Sequence, residues 1–318
     1  MNAAPLAPAR RPPPRIVDLP AYGLAAATLA GFAGGCHWLL DLTSHFRWYW
    51  LLAALVWFAI VPRRRSRPAT ACLLVAAAAN LATLAPYWLP VAVEAPSGDD
   101  TLRVVSLNVL SDNPDKGRTL SYLRQSAADV VVLLEVNDAW AEAAADLEPL
   151  YPHQVVRPGS DRFGIAVLSR LPLARQRVEP LAEGPPVVLV DLPVGTAGCL
   201  LVAAHPRPPI SAAWSARRDA QLAAIGEAAA AESRPVVVAG DLNATPWCHG
   251  FRRLVGPRGL RDSAAGHGVQ ATWNARLWLP RIPIDHVVIS PEVRVISRRV
   301  GPDVGSDHLP VEATLAIP

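Results

Sequence analysis

Apolar residues are distributed along this chain in two ways, and the pattern changes near Ser97. Before that point they form three long blocks: residues 21–40 and 70–89, both uncharged, and residues 46–61, with only Arg47 near the start. An uncharged run of about 20 residues is what a helix needs to cross a hydrocarbon core, so three transmembrane helices are predicted. After Ser97 the apolar runs shorten, and several stop abruptly at a polar residue. Residues 102–107 end at Asn108, 130–134 at Glu135, 199–204 at His205-Pro206, and 236–239 at Gly240-Asp241. Short apolar runs bounded by turn residues fit strands buried on both faces. Residues 164–168, 187–191, 284–289 and 311–316 read as further strands, with 187–191 and 199–204 forming a hairpin pair. Residues 118–126 and the Ala-rich 214–231 read as helices, the second with Arg217 and Arg218 on a solvated face. Strands alternating with helices and hairpins predict an α/β body of two sheets packed face to face, with helices outside.

The chain divides accordingly into a flexible, Pro- and Arg-rich cytoplasmic tail (1–20), a membrane anchor (21–92), an acidic linker (93–100) and a catalytic domain (101–318). A first apolar block behind arginines also fits a cleaved secretory signal, but its length and the two blocks that follow argue for retained spans. Arg10, Arg11 and Arg15 precede the first block, and Arg63, Arg64, Arg65 and Arg67 separate the second from the third. Positive charge favours the cytoplasmic side, so the N-terminus is expected inside and the catalytic domain outside a multi-pass protein of the inner or plasma membrane. Trp38, Trp48, Tyr49, Trp50, Tyr87 and Trp88 then fall at the outer interface, where aromatic residues collect. His37 and Asn80, polar residues in apolar blocks, fit helix-to-helix hydrogen bonds.

Charge follows the same division. Residues 1–95 carry eight arginines against three acids, a balance of +5, and the remainder carries 22 basic residues against 24 acidic, a balance of −2. The soluble part therefore lacks the basic excess that non-specific nucleic-acid binding requires. Four cysteines without a CxxC spacing exclude a disulfide framework and argue against zinc. Pairing of Cys199 with Cys248 stays open.

The polar residues at the strand ends carry the chemistry. Asn108, Glu135, His205, Asp241, Asn243, Asp285, Asp307 and His308 supply carboxylates, amides and imidazoles but no thiolate. Oxygen donors of this kind suit Mg²⁺, with Mn²⁺ as a substitute, and Glu135 is the leading ligand. Phosphoester hydrolysis needs an in-line water and compensation of charge on the phosphate oxygens. Asp241 is expected to orient or deprotonate that water. Asn243 and Asn108 are expected to donate to the phosphate and fix their neighbours, and His205 and His308 to stabilise developing charge. Asp285 is expected to hold His308 in its working tautomer. Trp247 and Trp273 are expected to pack at the rim.

The series Leu-Asn108, Leu-Leu-Glu135-Val, Gly164-Ile-Ala-Val-Leu-Ser-Arg, His205-Pro, Gly240-Asp241-Leu-Asn243-Ala-Thr-Pro-Trp, Ile284-Asp285-His-Val and Gly-Ser306-Asp307-His308-Leu-Pro resembles the endonuclease/exonuclease/phosphatase superfamily, its membrane-anchored bacterial members most of all. The resemblance covers about residues 101–318 and keeps the family's motif order. It implies a four-layer α/β/β/α sandwich, divalent-metal-dependent phosphoester hydrolysis, metal ligation by Glu135, Asn108 and Asp307, and a hydrogen bond from His308 to Asp285. Abasic-site nucleases of the family carry an acid two residues after the first Asn; Leu110 stands there, which weakens a repair-nuclease reading. Nucleic acid, a phospholipid and a small phosphoester remain as substrate classes. A phospholipid or sphingolipid phosphodiesterase is the alternative to a nuclease-like enzyme, and a catalytically silent scaffold is the alternative to an enzyme. The lipid bilayer is the expected partner of residues 21–92, and no obligate protein partner is implied.

Overall fold

The computed structural model describes residues 16–61, 65–90, 100–256 and 259–318. The tail before Ile16, Arg63, Arg64 and most of the linker lie outside the described residues.

The N-terminal part folds into helices α1 (Leu19–Ala30), α2 (Trp38–Ser44), α3 (Arg47–Ile60) and α4 (Arg67–Trp88). Three of the four starts have a local cause. Pro20 occupies the first turn of α1, where a missing N–H is harmless. The His37 ring accepts from Leu39 N–H to cap α2, and Ser66 Oγ accepts from Ala69 N–H to cap α4. His37 thus sits at a helix start and makes no link between spans.

Helices α1, α3 and α4 pack on one another. Asp18, just before α1, accepts from Ser66 N–H just before α4 at 3.1 Å, so the two helices start at the same end. Asn80 joins the three, donating to Thr28 Oγ1 at 2.9 Å and accepting from Arg47 at 3.3 Å.

Two helical stretches among the described residues, Ile16–Ala33 and Arg67–Trp88, are long and apolar enough to cross a membrane; three were expected. The block at 46–61 yields only the 14 residues of α3. At 1.5 Å per residue these reach about 21 Å, against roughly 30 Å of hydrocarbon.

The remaining chain builds two six-stranded mixed sheets. In chain order its elements are β1 (Asp100–Asn108), α5 (Lys116–Gln125), β2 (Val130–Leu134), α6 (Asp138–Ala145), β3 (His153–Arg157), β4 (Ile165–Ser169), β5 (Ala174–Pro180), β6 (Pro186–Leu192), β7 (Cys199–Ala203), α7 (Ala212–Ala231), β8 (Val236–Asp241), α8 (His249–Val255), β9 (Arg261–Asp262), β10 (Asp285–Ile289), β11 (Arg294–Val300) and β12 (Val311–Ile317). The first sheet runs β11-β12-β1-β2-β4-β3 and the second β5-β6-β7-β8-β10-β9. Leu102, Val132 and Leu134 of the first meet Val190, Leu201 and Val287 of the second in a dry core. Helices α5 and α6 cover the outer face of the first sheet, and α7 and α8 that of the second. The result is the α/β sandwich expected. The hairpin of β6 and β7 is present, and α7 extends the expected helix by two residues at its start.

Each sheet contains one parallel pair, β1 with β2 and β7 with β8. Within each pair the two C-terminal ends lie side by side, and the polar residues noted in the sequence follow those ends. Cys199 and Cys248 are both buried free thiols and do not pair.

Candidate active site

Backbone conformation fixes several of the polar residues before any side chain is considered. Glu135, directly after β2, has φ 61°, and Asn243, two residues past β8, has φ 48°. Neither is glycine, so both hold a costly left-handed conformation that their surroundings must impose, a pattern concentrated at functional sites. Gly240 lets β8 approach β7: a Cβ there would collide with the Ala204 carbonyl oxygen. In the antiparallel ladder of β10 with β8, Asp285 lies opposite Asp241.

The side chains converge. Asn108 donates from one amide nitrogen to Glu135 Oε1 and to Asp241 Oδ2, both at 3.1 Å. Asp241 Oδ1 accepts from Asn243 N–H at 2.9 Å, while Oδ2 also faces His205 Nε2 at 3.4 Å and His308 Nε2 at 3.7 Å. His308 Nδ1 meets Asp285 Oδ2 at 2.9 Å. Ser306 Oγ donates to Asn108 O at 2.7 Å and accepts from His308 N–H at 3.1 Å, tying the loop before β12 to the end of β1. All eight expected residues therefore gather at one rim of the sandwich, and Glu135, His205, Asp241, Asn243, Asp307 and His308 line a single cleft of about 460 Å³.

Electrostatics separates two of these groups. Burial alone would push the His308 imidazole toward its neutral form; the carboxylates of Asp285 and Asp241 override it and raise its pKa to about 10. Burial would likewise raise Asp241, yet His308, His205 and the Asn243 N–H hold it well below the usual carboxylate range. The pair is thus an imidazolium beside a carboxylate, both out of water.

The donor set suits a hard divalent cation. Among the described residues Asp307 Oδ1 is buried without a hydrogen-bond partner while Oδ2 accepts from Trp273 Nε1 at 3.2 Å, and half-buried Glu135 adds a second carboxylate. Asn108 departs from the ligand role expected of it. Its amide oxygen accepts from Leu110 N–H at 3.0 Å, so the nitrogen is the end presented to the carboxylates. A nitrogen bearing hydrogens does not coordinate a cation, and Asn108 serves here as a donor spanning two acids.

Sequence reasoning missed two contributions. Arg218, expected on a solvated face, is 1% exposed, because its guanidinium reaches Asp41 at 2.9 Å, Asp219 at 2.8 Å and the Asn243 carbonyl at 3.1 Å. Asp41 lies 177 residues away, so no local pattern announces the contact. The second is the junction of α2 and α3, whose Leu42, His45 and Phe46 line the same cleft as Asp241.

Residues 105–308 match the sequence profile of the endonuclease/exonuclease/phosphatase family, well over half of the chain. The chain belongs to that family. Members of the endonuclease/exonuclease/phosphatase family are metal-dependent phosphoric ester hydrolases, and this chain is an enzyme of that class. Among solved structures, the endonuclease/exonuclease/phosphatase from Beutenbergia cavernae DSM 12333 is 25% identical, with a TM-score of 0.57 over 69% of this chain and 72% of that one. D. rerio TDP2 complexed with single-strand DNA product is 20% identical, with a TM-score of 0.57 over 68% and 99%. Sphingomyelinase C from Streptomyces griseocarneus is 19% identical, with a TM-score of 0.52 over 67% and 99%. At these identities the last two share the fold. The comparison with curated proteins gives no match.

Proposed function

We propose that this family member is a membrane-anchored, divalent-metal-dependent phosphoesterase that hydrolyses a phosphodiester or phosphomonoester by attack of an activated water. The observation that carries the reading is the chain Asp285–His308–Asp241, facing Asn108 and Glu135 across one cleft. Glu135 and Asp307 would hold Mg²⁺, or Mn²⁺ in its place, which when bound supplies Lewis-acid compensation for the non-bridging oxygens. Asp241 orients the water and takes its proton as the new oxygen–phosphorus bond forms. His308, kept protonated by Asp285, hydrogen-bonds a phosphate oxygen and neutralises charge as the ester P–O bond breaks, and the departing oxygen takes a proton from solvent to leave as an alcohol. His205 adds a second imidazole. Asn243 donates to the phosphate with its side chain braced on the Pro206 carbonyl at 3.0 Å, while Asn108, its two N–H groups on Glu135 and Asp241, fixes those neighbours rather than reaching the phosphate.

The anchor is residues 21–92, the linker 93–100 and the catalytic domain 101–318. Helices α1 and α4 are the spans, with the shorter α3 returning the chain between them. Their outward residues support this: Leu52, Leu55, Leu74, Val75 and Leu81 are all exposed, an apolar surface that water does not favour. With Arg65 and Arg67 at the end where α1 and α4 begin, that end is cytoplasmic and the cleft faces away from the cytoplasm. A reporter fused after Pro318 that worked only in the cytoplasm would reverse this topology.

Full-length protein in detergent should hydrolyse bis(p-nitrophenyl) phosphate with Mg²⁺ and stop on addition of EDTA. Asp241→Ala should lower the rate by a factor on the order of 10³ while the melting temperature stays within a few degrees. Turnover by Asp241→Ala equal to the parent's would refute the assignment.

A further inference from the structure

The cleft has a wall and a neighbour that phosphate chemistry does not require. Phe163, Ile210, Trp214, Ile282 and Ile284 line it together with Leu42 and Phe46 from the junction of α2 and α3. His45 of the same junction is 4% exposed, and among the described residues neither ring nitrogen has a hydrogen-bond partner, although Asp41 and Cys248 lie close by. An apolar wall ending in one unpaired imidazole suits a ligand with a hydrocarbon part and a polar head.

Beside this wall, residues 274–281 form a loop that is braced by its own hydrogen bonds yet turns its apolar side chains outward. The Arg281 guanidinium donates to the carbonyls of Leu277 at 2.6 Å and Ala275 at 2.7 Å, and Leu277 N–H donates to Asn274 O at 3.1 Å. The tip carries Leu277, Trp278 and Leu279, all exposed, and Trp278 keeps 87% of its surface open. Three consecutive large apolar residues held open on a braced loop cost free energy in water and gain it in a bilayer interface, where Trp is favoured.

Both ends of the loop are fastened. Ala275 N–H donates to the Asp307 carbonyl at 2.7 Å, so one end hangs on the candidate site. At the other end Tyr49 Oη donates to the Arg281 carbonyl at 2.7 Å and accepts from Arg281 N–H. Tyr49 lies in the first turn of α3, next to Trp48, which meets Trp88 edge-to-face at 5.6 Å at the end of α4. The second end of the loop is thus tied to the aromatic cluster where α3 begins and α4 ends.

Resting on the phosphoesterase reading above, we infer that the loop at residues 274–281 lies in the outer bilayer surface and that the cleft takes its substrate from that leaflet: a phosphoester bearing a hydrocarbon tail, its phosphate at Asp241 and His308 and its tail against Leu42, Phe46 and Ile282. Arg276, exposed on the loop, faces the anionic headgroup layer.

The test uses the full chain reconstituted in phosphatidylglycerol vesicles. Trp278→Cys, made in a Cys36→Ser/Cys72→Ser background and labelled with an environment-sensitive fluorophore, should emit as in hydrocarbon and be quenched by spin-labelled lipids; water-like emission would overturn the placement. The triple variant Leu277→Ser/Trp278→Ser/Leu279→Ser should lower the ratio of kcat/KM for long-chain lipid phosphoester to that for bis(p-nitrophenyl) phosphate roughly tenfold or more. An unchanged ratio overturns the inference, as does hydrolysis of bis(p-nitrophenyl) phosphate or DNA with no lipid cleaved. Hydrolysis of none of these substrates would instead sink the phosphoesterase reading, while the fluorescence still decides where the loop lies.

Discussion

The face between the two sheets and the seam between the helical bundle and the sandwich are both buried, yet they are built from opposite materials. The inter-sheet face is valine, leucine and isoleucine from ladders whose backbone groups are already paired. The seam holds a small apolar patch of Leu51, Leu84, Tyr87, Trp247 and Ala264, surrounded by buried charge: Arg218 with Asp41 and Asp219, and Asp262 with Tyr87, His286 and Arg298. Apolar burial is roughly proportional to area and tolerates sliding or repacking, whereas a buried ion pair is strong only in one geometry. The core therefore provides the stability, and the seam determines where the bundle sits. That position matters because Arg218 also holds the carbonyl of Asn243, and because Leu42, His45 and Phe46 enter the cleft from the bundle side.

The contrast is sharpest at Arg218. Arg218→Met leaves Asp41 buried and Asp219 half-buried beside an apolar side chain and should destabilise the protein by ~3–5 kcal/mol, with loss of turnover through Asn243. Adding Asp41→Asn should recover part of that stability in chemical denaturation; a double variant no better than the single would show that the pair does not act as a pair. Leu201→Ala, in the inter-sheet core, should cost about 2–5 kcal/mol without a specific effect on the kcat of the folded fraction.

Acid should strain the seam before the core. Burial pushes the Asp262 carboxyl up, but His286 of β10 and Arg298 of β11 outweigh it and hold the group below its ordinary value, with Tyr87 of α4 as a further neighbour. A depressed carboxylate contributes stability above its unfolded pKa of about 3.9 and loses it as the pH falls through the folded value. The stability gap between wild type and Asp262→Asn should therefore be widest near neutrality and close below about pH 4. The smallest effect belongs to the surface: Arg177 and Glu179 pair at 3.3 Å on exposed β5, and Arg177→Ala should change stability by no more than about 1 kcal/mol.

What the sequence disclosed follows the same physics. The strands it revealed, among them β1, β2, β7, β8 and β10, lie inside the sheets; β2 and β7, buried at every position, are unbroken apolar runs, and β8 is one up to Gly240-Asp241. The four it concealed, β3, β5, β9 and β11, are the four sheet edges. Edge strands carry charge that discourages pairing with another chain, and Ala-Arg-Gln-Arg-Val-Glu-Pro of β5 reads as a loop for that reason. The site was legible because its residues follow the ends of those inner strands, where an apolar run stops at an acid or an amide. Arg218 and the His45 wall were not, since each depends on a contact between the two halves of the chain. The orientation of the Asn108 amide was hidden as well, being decided by the backbone N–H of Leu110.

One pairing sets an order on assembly. The β12 strand, last of the twelve described strands in sequence, lies in the interior of its sheet between β11 and β1, with Asp307 and His308 just ahead of it. Asn108, Glu135 and Asp241 stand at the ends of strands that can pair without it, yet they lack the imidazole that completes them until it docks. The cluster is therefore whole only once β12 is seated between its two neighbours, and any event that frees that strand parts His308 from Asp241.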